Sequence, residues 1–320
     1  NLYIELSDKC NLSCSYCYND SSKQKSQMLS TETVIQLIDQ AKSLGVSRID
    51  LSGGEPLLYP NIKKLINHIE QNGMSVNIIT NATYFEKWLV TETKSTFQIT
   101  LDGWNHNETR PHISGIRTLE RIIDNLRKIS TLSSEYEYNI IIRHNILDGD
   151  QDFSWYDYLS SLFAKDKRFS ILVALVSDWG GTLVGSMPIL EGKNRKQLKY
   201  AHQAYIKKIG LTLYEQPNDL FSDICYASFP YGFVFRANGM IDKCTISLNA
   251  PENHIGRIDA MEGIIIDPKK SKAWTEGQIH QKCYGCNRVL NCLNISCKKG
   301  AVVDNMCEKY VCKTFYPNKS

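Results

Sequence analysis

No run of apolar residues in this 320-residue chain approaches the roughly 18 that a membrane-crossing helix requires, so no membrane span is expected. Neither sign of charge gathers in a block. The 37 basic and 34 acidic side chains leave a formal +3, which advertises neither nucleic acid nor anionic lipid as a partner. No repeat of roughly 20 to 50 residues and no low-complexity segment is visible, and with 42% apolar and 22% charged residues the composition is that of an ordinary globular protein. Cysteine is wholly missing between Cys17 and Cys225, a gap of 207 residues. The eleven cysteines are therefore segregated: Cys10, Cys14 and Cys17 fall close together, and the rest lie from Cys225 to Cys312. An odd total, no apolar signal segment at the front, and spacings such as Cys283-x-x-Cys286 argue against a secreted disulfide framework. Thiolates on metal, in a reducing cytoplasm, fit better.

The length suits one large α/β domain or two ordinary ones and excludes a small stapled module. Short β-branched runs at 2–6, 48–51, 75–80, 97–101, 138–145 and 170–176 alternate with apolar residues at helical spacing. Ser30 suits a helix cap ahead of Val34, Leu37, Ile38 and Ala41, and Gly45 suits its stop. Asn61 opens a second pattern that Gly73 closes, and a third carries Leu119, Ile122, Ile123 and Leu126. Six strand–helix units predict a parallel sheet, curved into part of a barrel or wound open, with ligands at the carboxyl ends of its strands in either case. Beyond about residue 180 the pattern changes to a Gly-rich loop, one helix near 195–209, then short strands, turns and cysteines. The expected division is 1–185, a bridging segment 186–215, and a cysteine-rich domain 216–320.

Cys10-x3-Cys14-x2-Cys17 lies on the loop leaving the first strand. Three thiolates there suit three corners of an iron–sulfur cube whose fourth iron stays open; structural cysteines or a zinc knuckle are the plain alternatives. Gly53-Gly54-Glu55-Pro56 follows the second strand, 36 residues beyond Cys17. Together, with Tyr16 as the aromatic before the third cysteine, these motifs resemble the radical S-adenosylmethionine (SAM) enzymes. The resemblance implies a partial (β/α)6 barrel, a SAM-binding [4Fe–4S] cluster on Cys10, Cys14 and Cys17, and backbone carbonyls of the glycine motif receiving the methionyl ammonium. It further implies ribose contacts from Thr80-Asn81 and from Thr100 and Asp102, and an Arg143 pairing with the methionyl carboxylate; each of these residues also has an ordinary reading as turn former or strand residue. The run Asp102-Gly103-x2-His106-Asn107-x2-Arg110 resembles a stretch of peptide-modifying members, with no role assignable.

The C-terminal pattern Cys225-x13-Gly239-x4-Cys244, Cys283-x2-Cys286-x5-Cys292-x4-Cys297, then Cys307 and Cys312, resembles the SPASM extension with its two auxiliary [4Fe–4S] clusters. The resemblance implies Cys225, Cys244 and Cys297 on one auxiliary cluster and Cys283, Cys286 and Cys292 on the other, Cys307 and Cys312 completing the sets. The family spaces the last pair of the run by three residues, not four, and a double zinc ribbon is the plain alternative. The activity implied is an oxidative maturase of a ribosomally made peptide: a 5′-deoxyadenosyl radical abstracts hydrogen, and loss of a further electron and proton closes a crosslink, carbon–carbon in the leading reading. Asp102 and Asp242 are candidate bases. Thr245 stands where the anaerobic sulfatase-maturing branch has aspartate, which disfavours formylglycine formation; a small-molecule dehydrogenase and a zinc-binding protein without turnover are the other rivals. The implied partners are a precursor peptide, a flavodoxin or ferredoxin as electron donor and, since only nine residues precede Cys10, a separate leader-recognition protein.

Overall fold

Strand and helix alternate in the first part of the chain because β-branched runs are interleaved with helices that bury one apolar stripe. The computed structural model describes residues 1–20, 27–179, 181–187, 189, 193–215, 225–259 and 261–275. In order these form β1 (Leu2–Glu5), α1 (Thr31–Ser43), β2 (Arg48–Ser52), α2 (Ile62–Gln71), β3 (Ser75–Thr80), the single-turn α3 (Trp88–Thr91), β4 (Thr96–Thr100), the single-turn α4 (His106–Thr109), α5 (Leu119–Ser130), β5 (Asn139–Ile146), α6 (Ser154–Phe163), β6 (Phe169–Leu175) and α7 (Lys193–Lys208). Ser30 Oγ accepts the Thr33 N–H at 3.0 Å, satisfying one of the orphan donors at the head of α1, and Gly45 ends that helix at φ +76°. Val34, Leu37, Ile38 and Ala41 of α1 and Ile62, Leu65, Ile66 and Ile69 of α2 are buried, the faces their spacing predicted.

The strands stand in the order β1-β2-β3-β4-β5-β6, and the pairs from β2–β3 to β5–β6 are parallel. The order never reverses, which is the winding of a barrel and not of a doubly wound sheet. Two features went unread in the sequence. α6 buries Trp155, Tyr156, Leu159 and Phe163 and fills the β5–β6 crossover, and the β3–β4 crossover holds only the single turn α3. The expected bridging segment also extends the sheet: Ile171 donates to Thr212 O and receives from Tyr214 N, each at 2.8 Å, a parallel bridge beside β6.

The chain divides into two compact units at 215/216. In the second, β7 (Val234–Phe235), β8 (Met240–Asp242), β9 (His254–Asp259) and β10 (Gly263–Ile266) follow one another as antiparallel neighbours, and α8 (Pro268–Thr275) closes the described part. Cys283, Cys286, Cys292, Cys297, Cys307 and Cys312 lie outside the described residues. Among the described residues, no helix is long and apolar enough to cross a membrane.

Candidate active site

The loop carrying Cys10, Cys14 and Cys17 leaves β1 at the carboxyl end of the sheet, and its neighbours hold it by backbone. The segment after β2 runs alongside its entry, with Gly54 N–H donating to Ser7 O at 2.7 Å and Glu55 N–H to Lys9 O at 2.9 Å. A Cβ on Gly53 would stand 2.2 Å from Ser7 O, and one on Gly54 2.2 Å from Lys9 O. On this side the two glycines face the chain's own backbone, and close strand-to-loop approach is what requires them. The middle of the loop pairs with the segment after β4: Ser13 N–H donates to Pro111 O and Ser15 N–H to Thr109 O, both at 2.8 Å.

Glu55 organises the entry side. Its carboxylate is buried and accepts from Thr80 Oγ1 at 2.6 Å, from Leu57 N at 2.9 Å and from Asn81 N at 2.7 Å. Burial pushes its pKa up, and these three donors act against that push. Pro56 follows as the first residue of a one-turn helix, where its missing N–H costs nothing. Asn81 reaches onward, donating to Asn11 Oδ1 at 2.9 Å and lying 3.9 Å from Cys10 Sγ. The end of β3 is thus tied to the first cysteine through a carboxylate and two amides.

Tyr16 organises the other side. Its O–H donates to Asp102 Oδ2 at 2.5 Å, and its oxygen accepts from Arg110 Nη1 at 2.8 Å and Asn145 Nδ2 at 2.9 Å. Asp102 also accepts from Thr109 Oγ1 at 2.8 Å and Asn145 Nδ2 at 3.3 Å, so the candidate base stands in the site with both oxygens engaged. Arg143 donates through Nε to Asn145 Oδ1 at 2.8 Å, and Thr100 is its partner across β4 and β5. The run that carried no role now has one. His106 is buried, its pKa lowered to about 3 by burial and by Arg110, and its Nδ1 lies 3.4 Å from the Asp102 N–H. Asn107 Oδ1 accepts from Thr118 and Leu119 N–H at the head of α5, at 2.8 and 3.2 Å. Arg110 sits buried against Tyr16 with an Nε–H that has no partner among the described residues. Asn145, Asn11 and Thr109 escaped the sequence reading, since no motif spacing links them to the cysteines.

Burial pushes the Cys14 thiol up to about 12, against the pull of Arg110, and the Cys10 thiol up to about 11, with Glu55 adding to the rise. Cys10, Cys14 and Cys17 are all free of disulfides, and each of the first two feels the third electrostatically. Among the described residues, no three His, Cys, Asp or Glu side chains converge as one metal ion would need. A four-iron cluster spreads its thiolates over a larger body than one ion does. Three free thiols on one loop, with an orphan guanidinium N–H beside them, are a donor set and a charge balance that fit such an anionic cluster.

In the second unit, burial raises the pKa of Tyr226, with Cys244 and Cys225 adding to the rise, and its hydroxyl accepts from Thr245 N at 2.7 Å. Asp242, the other candidate base, is buried between Arg236 Nε at 2.7 Å and His254 Nδ1 at 2.7 Å, so each of its oxygens already has a partner within this unit.

Residues 4–154 match the model of the Radical SAM superfamily. A probable GTP 3′,8-cyclase of Pyrococcus horikoshii is 24% identical over 153 residues, 47% of this chain and 49% of that protein. A PqqA peptide cyclase of Streptomyces rochei is 36% identical over 81 residues, 25% of this chain and 22% of that protein. The chain thus spans at most about half the length of these curated relatives. Among solved structures, Streptococcus suis SuiB bound to its precursor peptide SuiA superposes with a TM-score of 0.68 at 19% identity, over 90% of this chain and 69% of that one, a likeness of fold. The superfamily implies SAM and a [4Fe–4S] cluster, and the cysteine loop, the glycine turn and strands β2 to β5 all fall within the matched span. Residues 4–154, just under half of the chain, are thus similar to the radical SAM domain, and the superfamily that carries this domain is one of enzymes.

Proposed function

We propose that this chain is an oxidative maturase of a ribosomally synthesised peptide, forming an intramolecular crosslink, with carbon–carbon closure as the leading form. The observation that carries the reading is the gathering of three free thiols, the Gly53–Gly54–Glu55 turn and the Tyr16–Asp102–Arg110 network at one end of a parallel sheet. Cys10, Cys14 and Cys17 would hold a [4Fe–4S] cluster, which together with SAM would supply one-electron sulfonium cleavage and, through it, hydrogen abstraction from an unactivated carbon. The protein's part is placement. Glu55 fixes the backbone turn meant for the methionyl ammonium, Thr80 and Asn81 brace it, and Arg143 offers a guanidinium to the methionyl carboxylate. Thr100 and Asp102, at and just past the end of β4, are assigned to the ribose together with Thr80 and Asn81. A radical of this reactivity demands that water be kept out and the target carbon held in contact, which a barrel mouth ringed by fixed loops is suited to do.

The peptide substrate is supported by the likeness of fold, over nine-tenths of this chain, to SuiB, which was solved with its precursor peptide. In this reading 1–185 is the catalytic barrel, 186–215 a bridge, and 216–320 a SPASM domain whose eight cysteines hold two auxiliary clusters suited to a reaction that ends in oxidation. A cytoplasmic setting, a flavodoxin or ferredoxin as electron source and a separate leader-recognition protein complete it.

The test is anaerobic purification, and co-expression with any short precursor peptide found encoded beside this gene. Iron-loaded protein with SAM and reductant is expected to release 5′-deoxyadenosine, the peptide to lose two hydrogens by mass, and Cys14→Ala to release none. Deoxyadenosine from Cys14→Ala, or zinc in place of iron in the wild type, overturns the reading.

A further inference from the structure

The cysteine loop is gripped at its exit as well as its entry, and the grip comes from a segment that no motif marks. Gly181 lies on the loop after β6, 164 residues from Cys17 in sequence. A Cβ built on it would stand 2.3 Å from Cys17 O, 2.9 Å from Cys17 C and 3.3 Å from Tyr18 Cα. The atoms it would strike are backbone, so no side-chain rotation can make room. The next residue locks the contact. Thr182 donates to Asp20 Oδ1 through both its N–H at 3.2 Å and its Oγ1 at 3.0 Å, and Asp20 itself holds a left-handed φ of +46°. That strained conformation needs tertiary support, and Thr182 supplies part of it. The geometry on the entry side is equivalent, with Gly54 against the carbonyl of Lys9, the residue before Cys10.

From this we infer that Gly181 and Thr182 are positioning residues for the cluster: they fix the carbonyl of Cys17, and thereby the third thiolate, in the way that Gly54 fixes the approach to the first. The inference rests on Cys10, Cys14 and Cys17 holding that cluster. A shift of a few tenths of an ångström at Cys17 separates its thiolate from the other two, while the packed layers of the barrel are untouched.

Gly185, four residues further on, provides the control. A Cβ there meets nothing within 4 Å among the described residues. Wild type, Gly181→Ala, Gly185→Ala, Thr182→Val and Cys14→Ala are purified without oxygen and assayed for iron per chain and for the change that SAM induces in the paramagnetic resonance spectrum of the reduced protein. Gly181→Ala is expected to lose about four irons and the SAM-induced change, as Cys14→Ala does, with Gly185→Ala matching the wild type. Thr182→Val, which alters no backbone atom and adds no bulk, is expected to surrender that iron to a chelator several-fold faster, and decides the matter if Gly181→Ala fails to fold. Wild-type iron and spectra in Gly181→Ala, or an unchanged release rate in Thr182→Val, overturn the inference while leaving the cluster assignment standing. Equal iron and equal SAM response in wild type and Cys14→Ala would instead overturn the assignment itself.

Discussion

Tyr16 shows how much one hydroxyl can carry. It gives its proton to Asp102 and accepts from Arg110 and Asn145, so it joins two strand ends, those of β4 and β5, to the cysteine loop. Tyr16→Phe keeps the ring and removes that junction, leaving a buried guanidinium and amide each short of an acceptor. Each stranded group costs about 1–3 kcal/mol, so the unfolding free energy in urea should fall by about 2 kcal/mol or more. Iron per chain should hold, because the thiols are untouched. In the sequence Tyr16 is legible only as the aromatic of a spacing. Its partners are named by no pattern, although the run ending in Arg110 stood out as unexplained.

At the scale of elements, β5 shows its two faces. Arg143 and Asn145 point to the site, and His144 between them points to the helices. There His144 Nδ1 lies 2.7 Å from Tyr156 Oη on α6, which lies 2.8 Å from His202 Nδ1 on α7, whose Nε2 stands 2.9 Å from the Asp150 carbonyl. A carbonyl only accepts, so His202 carries its proton on Nε2 and takes the Tyr156 proton at Nδ1; Tyr156 then accepts from His144 Nδ1. Burial, with His202 adding, lowers His144 to about 3. Tyr156→Phe breaks the chain at its centre and strands a donor and an acceptor. A loss of about 2–4 kcal/mol in urea unfolding is expected, against no measurable loss if β5 is held to its helices by apolar packing alone. α7 was legible from its sequence and α6 was not, because the buried face of α6 mixes Trp155, Tyr156, Leu159 and Phe163 in place of an aliphatic stripe.

For the whole molecule, the layers that make the barrel are aliphatic. Ile4, Ile49, Leu51, Ile78, Ile99, Ile142 and Leu159 are buried to within 1%. None of this depends on thiols. Stripping the iron anaerobically is therefore expected to leave the helical circular dichroism and a cooperative urea transition in place while abolishing the response to SAM; loss of the transition would show that metal, not apolar burial, holds the unit together. The strands of the parallel sheet, helices α1, α2, α5 and α7, the cysteine loop and the glycine turn were determined by sequence alone, because each is written in spacings a few residues long that local backbone geometry converts directly into structure. What only the tertiary structure decided was the unreversed order of the strands, the Tyr16 and Glu55 junctions and the clasp on Cys17. Tyr16 meets its partners from 86, 94 and 129 residues away, and such contacts exist only once the packed sheet has brought its strand ends together.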